Sequence, residues 1–329
     1  MRSRAAAIVL VISSALISSA LAAFTAPAAA EPQFPARPVK FIVPFLGGGS
    51  TDVAARIAGD KLQAKWGQPV VVENRAGAGG NIGADAAAKA EPDGHTLFIS
   101  PPGPLAINQS LYRQLSYKPE DFVPVTVLAS VTNLITVRPE IGGSVADLIS
   151  LAQQNPGKIT YGSQGNGSTP HLAGNLFMNM TGAKFIHVPY RGENLLVNDL
   201  LGGHVGVFFG GITPVLPYYR DGKLKILAVA DARRAPLLPD VPTAAEAGLP
   251  GFISTSWLAV AGPPKMPRAL AQQIAADFIA VVNMPDVQAK YRLIGIEPVG
   301  TTPAETAAFI RDEAARWREV ILANHIRVE

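Results

Sequence analysis

The sequence predicts an α/β fold of two doubly wound lobes, on three observations. Short apolar β-rich runs alternate with helical patterns from residue 39 to residue 322. Runs such as Val39-Lys40-Phe41-Ile42-Val43 lack period-two alternation, as strands covered on both faces of a parallel sheet do. Glycine-rich loops follow several of these runs and precede helices, which is where open α/β sheets hold ligands.

In chain order, residues 39–43 read as a strand, Gly47-Gly48-Gly49 as a loop, and residues 51–64 as a helix. That helix carries Val53, Ile57, Ala58 and Leu62 on one face. Pro69-Val70-Val71-Val72 and Thr96-Leu97-Phe98-Ile99 are further strands, giving a β-α-β-α-β opening. A second set follows. Residues 122–128 and 134–137 are two strands, 144–154 a helix started by Ser144, 158–161 a strand and 170–180 a helix. Strands at 185–188, 205–209 and 224–230 come next. Helices close the chain at 268–282 and 305–322, the last with Ile310, Ala314, Trp317 and Ile321 at helical spacing. No low-complexity linker separates the two sets, so the chain is expected to cross between them through the strands themselves.

Residues 1–30 have the layout of a secretory signal peptide. Arg2 and Arg4 are followed by an apolar, serine-broken stretch and the small residues Ala28-Ala29-Ala30. Cleavage is expected after about Ala30, with a periplasmic destination. No Cys follows to take a lipid, and no later segment is apolar enough to span a bilayer. Without Arg2 and Arg4 the net charge of +3 falls to +1. There is no basic run, so nucleic acid is not an expected partner. The chain has no cysteine, which excludes disulfides, thiolate catalysis and cysteine metal sites. Its five histidines have no metal-ligand spacing, so neither metal nor cofactor is expected.

Four segments carry candidate chemistry. Phe45, Gly48, Gly49, Ser50, Thr51 and Asp52 lie where a strand ends and a helix starts. Exposed N–H groups and the helix dipole favour a carboxylate there. The alternative is a glycine turn with Ser50 or Thr51 as N-cap. Gly77-Ala78-Gly79-Gly80-Asn81-Ile82-Gly83 lacks the acidic residue a dinucleotide site needs after the next strand. Ser163, Asn166, Gly167, Ser168, Thr169 and His171 form a second strand–loop–helix junction. It is not a nucleophile elbow, since Tyr161 and Asn166 stand where glycine is required. His171 reads as a structural hydrogen-bonder. Tyr190, Arg191 and Gly192 follow another strand, and Arg191 is either a bidentate carboxylate ligand or a solvated charge.

Together these segments resemble the Bug (TctC) family, the periplasmic binding components of tripartite tricarboxylate transporters. The resemblance rests on Arg37-Pro38-Val39-Lys40-Phe41-Ile42-Val43-Pro44-Phe45, on the Gly-Gly-x-x-x-Asp-x-x-Ala-Arg pattern ending at Arg56, and on Gly67-Gln68-Pro69-Val70-Val71-Val72-Glu73-Asn74-Arg75. It continues through Gly77 to Gly83, Pro92-Asp93-Gly94-His95-Thr96-Leu97, His187-Val188-Pro189-Tyr190 and Leu238-Pro239-Asp240-Val241-Pro242-Thr243, so it covers essentially the whole chain after residue 30. It implies a type II periplasmic-binding-protein (Venus flytrap) fold, two doubly wound α/β lobes joined by crossover strands. Lobe 1 would be residues 36–127 plus 255–329, and lobe 2 residues 128–254. It also implies a small organic carboxylate in the interlobe cleft, aliphatic di- or tricarboxylate or aromatic, and permease subunits as membrane partners. The expected receptor is a monomer without catalytic residues.

Departures from the family pattern are informative. Its usual Pro-Phe-x-Pro-Gly-Gly stands here as Pro44-Phe45-Leu46-Gly47-Gly48-Gly49. Where small residues often follow the arginine, this chain has Glu193-Asn194-Leu195-Leu196. Phe208-Phe209-Gly210-Gly211 lacks an Asp sometimes found there. Phe209 and Gly210 are expected to line the cleft, and Phe45, Phe209 and Arg191 together would suit an aromatic carboxylate. Two other readings stay open: a binding protein feeding a two-component sensor, and a periplasmic hydrolase, for which no nucleophile–base pair is evident by motif.

Overall fold

The computed structural model describes residues 34–326, so the export segment expected over residues 1–30 lies outside the described residues. Among the described residues the strands are β1 (Val39–Val43), β2 (Val70–Asn74), β3 (Thr96–Ser100), β4 (Val123–Val137), β5 (Ile159–Ser163), β6 (Phe185–Pro189), β7 (Val207–Gly211), β8 (Lys225–Val229), β9 (Thr255–Gly262) and β10 (Ile296–Pro298). The helices are α1 (Ser50–Trp66), α2 (Asn81–Ala88), α3 (Asn108–Leu111), α4 (Val145–Gln154), α5 (Thr169–Thr181), α6 (Glu193–Gly202), α7 (Leu216–Arg220), α8 (Arg268–Val282), α9 (Pro285–Leu293) and α10 (Pro303–Ala323).

The strands join in the order β2-β1-β3-β9-β4-β7-β5-β6, with β8 and β10 pairing β4. One end is parallel, β2-β1-β3, and so is the other, β7-β5-β6. Antiparallel β9 and β4 join them. The sequence suggested two strands at 122–128 and 134–137, but the structure makes one strand of 15 residues. Ser130, Thr132 and Asn133 made the middle look like a break. As far as Thr132 the strand pairs with β9, and Asn133 begins its pairing with β7. One strand therefore belongs to both parallel halves, which is the crossover the missing linker suggested. The covered-on-both-faces pattern holds for β1 and β3 but not for β2, which has one neighbour and leaves Val71 51% exposed.

Each half has its own core. Phe41 of β1 packs against Trp66 of α1 and Phe278 of α8. In the other half, Tyr161, Phe177, Phe185, Phe209 and Phe252 form one aromatic cluster. Helix α1 buries its small side, Ala54, Ala55 and Ala58, with Leu62, while Val53 and Ile57 are only half-buried, so it lies close on the sheet. Helix α10 starts in a capping box between Thr302 and Glu305. Its Trp317 and Ile321 reach Ile107 and Leu111 in one half and Leu172 of α5 in the other, tying the chain's end to both. No described helix is long and apolar enough to cross a membrane.

Candidate functional site

The β1–α1 junction is rigid because its own carboxylate organises it. Gly48, at φ +86°, donates its N–H to Asp52 Oδ2 at 2.8 Å. Asp52 also accepts from Asn74 Nδ2 at 3.0 Å and from Arg56 Nε and Nη2 at 3.0 and 2.9 Å. Burial pushes this carboxyl up, but the Arg56 guanidinium, the Gly48 N–H and the Asn74 amide together hold it below the usual range. Asp52 thus serves its own loop. Asn74 also donates to the Phe45 carbonyl at 2.9 Å, and the Phe45 ring is buried.

The second junction, β6–α6, closes onto the first. Leu46 N–H donates to the Arg191 carbonyl at 3.2 Å, and Asn194 Nδ2 to the Gly47 carbonyl at 2.9 Å. Ser50 donates its N–H to Glu193 Oε2 at 2.9 Å and its hydroxyl to the same oxygen at 3.2 Å. Gly49 is the N-cap of α1 and supplies no side chain, so Glu193 takes that role from the other half of the molecule. Gly192 packs on Leu46, while the Arg191 side chain is exposed. Tyr190 turns away from the junction and donates its hydroxyl to Asp199 at 2.7 Å.

The third junction, β5–α5, is braced from within. Ser163 Oγ lies 2.6 Å from His187 Nε2 and accepts the Gly165 N–H at 3.0 Å. Ser168 donates its hydroxyl to the Gly165 carbonyl at 2.7 Å. His171 Nδ1 accepts the Gly167 N–H at 3.4 Å, and its ring centre lies 4.5 Å from that of His187. Burial drives His187 down to about 4; burial, and then the neighbouring His187, drive His171 down to about 3, so both rings are neutral near pH 7. The Asn166 carbonyl accepts from the Tyr112 hydroxyl at 2.9 Å. A methyl on Gly79 would lie 2.0 Å from that same carbonyl, so here the Gly77–Gly83 loop meets the β5–α5 loop backbone to backbone.

A cavity of about 10 Å³ lies between the junctions, close to the space one water needs. Of the residues expected from sequence, Ser50, Thr51 and Thr169 line it; Pro101, Val131, Asn133, Gln164, Glu193, Ser256 and Leu258 complete the wall. Gly211 belongs beside them, since a methyl on it would sit 2.8 Å from Ser50 Oγ. Phe209 corrects the sequence reading: its ring is 1% exposed within the aromatic core and faces no cleft. Gly210 faces the Phe208 ring, not the junction. The Phe45–Phe209–Arg191 trio is therefore not assembled. Gln164 sits in the loop already singled out. Glu193 had one signal, its departure from the small residues the family pattern has there. The Ser163–His187 pair had none, since residues 24 apart on neighbouring strands share no motif. A larger groove of about 650 Å³, lined in part by Arg233, Arg292 and Glu297, opens elsewhere and touches none of the three junctions.

Among the described residues Glu193 is the one ionisable residue in the cavity wall. Burial pushes it up to about 7, against the pull of the Ser50 N–H and hydroxyl. The arrangement is two helix N-termini, α1 and α5, converging from two halves on a polar cavity with one carboxylate already inside and, among the described residues, no cation in its wall.

Residues 54–326 match the model of the tripartite tricarboxylate transporter family receptor. The protein BugT of Bordetella pertussis is 39% identical over 305 residues, 92% of this chain and 93% of that protein. Among solved structures, Rpa4515 of R. palustris with adipate superposes at a TM-score of 0.87, with 38% identity, over 89% of this chain and 99% of that one. MatC of Rhodopseudomonas palustris with bound malate gives 0.84 and 30%, over 88% and 100%. The fold is that of type II periplasmic binding proteins. On this match the chain belongs to the tripartite tricarboxylate transporter receptor (Bug) family of periplasmic solute-binding proteins.

Proposed function

We propose that this chain captures a small organic carboxylate between two lobes, residues 36–127 with 255–329 and residues 128–254, and delivers it to the membrane subunits of a tripartite tricarboxylate transporter. The observation that carries this reading is the convergence of two helix N-termini, from opposite halves of the sheet, on one polar cavity. Helix N-termini present unpaired N–H groups and a partial positive charge, which suit a carboxylate. The relatives crystallised with adipate and malate support the same ligand class.

The cavity is too small for such a ligand while the junctions are closed. Entry therefore requires the halves to part, with β4 and β9 as the crossing strands, a hinge motion of the kind binding proteins use. Export through residues 1–30, with cleavage after about Ala30, places the receptor outside the inner membrane. The Ser163–His187 pair supports binding over hydrolysis. Ser163 is wholly buried, is bonded into its own loop and is not part of the cavity wall.

The test is a thermal-shift screen of mature protein, unfolded and refolded to strip carried ligand, against mono-, di- and tricarboxylates. A ligand at 100 times its Kd adds about 2.7 kcal/mol, which is several degrees for a chain of this size. If no carboxylate moves the melt, the proposal is wrong. Delivery is tested separately, by uptake of the hit ligand in a strain lacking this protein.

A further inference from the structure

We infer that Glu193 fills one of the two anion positions in this cavity with the protein's own carboxylate, so that the ligand is a monocarboxylate whose other end donates hydrogen bonds. An amide, an ammonium or a protonated ring nitrogen would serve as that end; a second carboxylate would not. The inference rests on the carboxylate-receptor reading above and specifies its ligand class.

Three observations carry it. The first is occupancy. The N-terminus of α1 has no side-chain cap of its own, and Ser50 gives both its N–H and its hydroxyl to Glu193 Oε2. The backbone fits that carboxylate closely: a methyl on Gly49 would lie 2.9 Å from Oε2, and one on Gly211 3.2 Å from Oε1. Helix α5 also begins without a side-chain cap, with Thr169 in the cavity wall, so its N-terminus is the open one.

The second is an acceptor in want of a donor. Both hydrogen bonds converge on Oε2, and Oε1 makes none among the described residues, although Glu193 is only 4% exposed and lines the cavity. That oxygen is reached only through the cavity, so whatever fills the cavity must donate to it or leave it unpaired. A ligand N–H directed at it supplies the donor. The third is charge. Ser50, Thr51, Asn133, Gln164, Thr169 and Ser256 are all neutral, and Arg56 on α1 is committed to Asp52. A ligand carboxylate set against Glu193 would meet like charge with no cation between, and two carboxylates in contact do not both ionise. Burial has already raised Glu193 to about 7, and a second negative charge would raise it further.

The experiment is calorimetric titration at pH 8 of ligand-stripped protein with length-matched sets. These are succinate, succinamate and 4-aminobutyrate; adipate, adipamate and 6-aminohexanoate; terephthalate and 4-carbamoylbenzoate. The wild type should favour a donor-bearing member over its dicarboxylate by at least about tenfold, which is about 1.4 kcal/mol. Glu193→Gln should abolish that preference, and Glu193→Ala, which vacates the position, should favour the dicarboxylate. Circular dichroism melts confirm that each variant is folded, and the isosteric Gln variant keeps the test alive if Ala is not. Wild type that binds a dicarboxylate as tightly as its partners, or a ratio unmoved by Glu193→Gln, overturns the inference and leaves the receptor reading standing. Binding by no member of any set removes the receptor reading and the inference with it.

Discussion

Replacing Glu193 with Gln should stabilise the ligand-free protein in alkaline solution and do little in acid. Glu193 has an ordinary value of 4.5 when unfolded and about 7 when buried at the junction. The folded state therefore holds this proton more tightly than the unfolded state between those values. Its stability is full below pH 4.5 and is lost as pH rises through 7. A rise of roughly 2.5 pKa units, at about 1.36 kcal/mol each, makes the full span about 3 kcal/mol, most of it between pH 5 and 8.5. Gln keeps an acceptor for the Ser50 N–H and carries no charge, so it removes the titration with little loss of contact. Urea unfolding of both proteins at pH 5 and 8.5 isolates the effect, because every other titrating group is common to the two. The variant should gain about 2.5 kcal/mol on going to pH 8.5, or roughly 5 °C in Tm. If the difference between the proteins is the same at both pH values to within about 1 kcal/mol, Glu193 is not held against its own charge, and the picture of a buried carboxylate with no cation beside it is wrong.

The buried histidines predict the opposite slope. His171 and His187 are driven down to about 3 and 4, so their contribution is full above pH 6.5 and falls as pH drops towards those values. Urea melts in the Glu193→Gln background should lose about 2 kcal/mol per histidine between pH 7 and 5, whereas a flat profile would mean the rings are solvated. Gly79→Ala places a methyl 2.0 Å from the Asn166 carbonyl and 2.7 Å from the Tyr112 hydroxyl, at a φ of +61°. It should weaken ligand binding more than tenfold and leave the ligand-saturated radius of gyration at the open value in X-ray scattering; unchanged affinity would show that these loops do not meet in the bound form. Asp52→Asn removes half of a fork whose Arg56 is half-exposed, together with an acceptor for Gly48 and Asn74. A loss of about 1–2 kcal/mol is expected at pH 7. It should disappear in acid, as Asp52, held below the ordinary 3.8 of an aspartate, takes up its proton.

Most of the α/β alternation was legible because strands covered on both faces leave apolar runs, as β1 and β3 do, while the edge strands β2 and β6 were still marked by β-branched and aromatic residues. What escaped was set by partners far along the chain. Strand β4 runs through Ser130, Thr132 and Asn133 because β9 and β7 supply its ladder on either side of that point. Strand β9 leaves little trace in the sequence, because Thr255 and Ser256 and the small residues Ala259 and Ala261 dilute its apolar signal. Phe209 was misplaced for a related reason. Being near the end of a strand beside a glycine pair says where the backbone is, not which core takes the ring. Here Phe208 and Phe209 pack into two different clusters, and Gly211 is the residue left to face Ser50.

The same logic explains why Glu193 could be noticed in the sequence but not understood there. An acidic residue in the first turn of a helix ordinarily complements that helix's own dipole, and α6 begins with it. Its carboxylate instead caps α1, 143 residues away in sequence. The β6–α6 junction holds the β1–α1 junction by four hydrogen bonds, two of them made by this carboxylate and two by the groups at Arg191 and Asn194. A ligand must either fit beside Glu193 or displace it. Displacement would break two of those four bonds and turn a carboxylate out of its buried site, so it opens the junctions that capture needs closed. Fitting beside it keeps all four and adds a partner for Oε1. Closure and ligand choice are thus coupled through one side chain, and a ligand that satisfies Glu193 is also the one that keeps the two halves together.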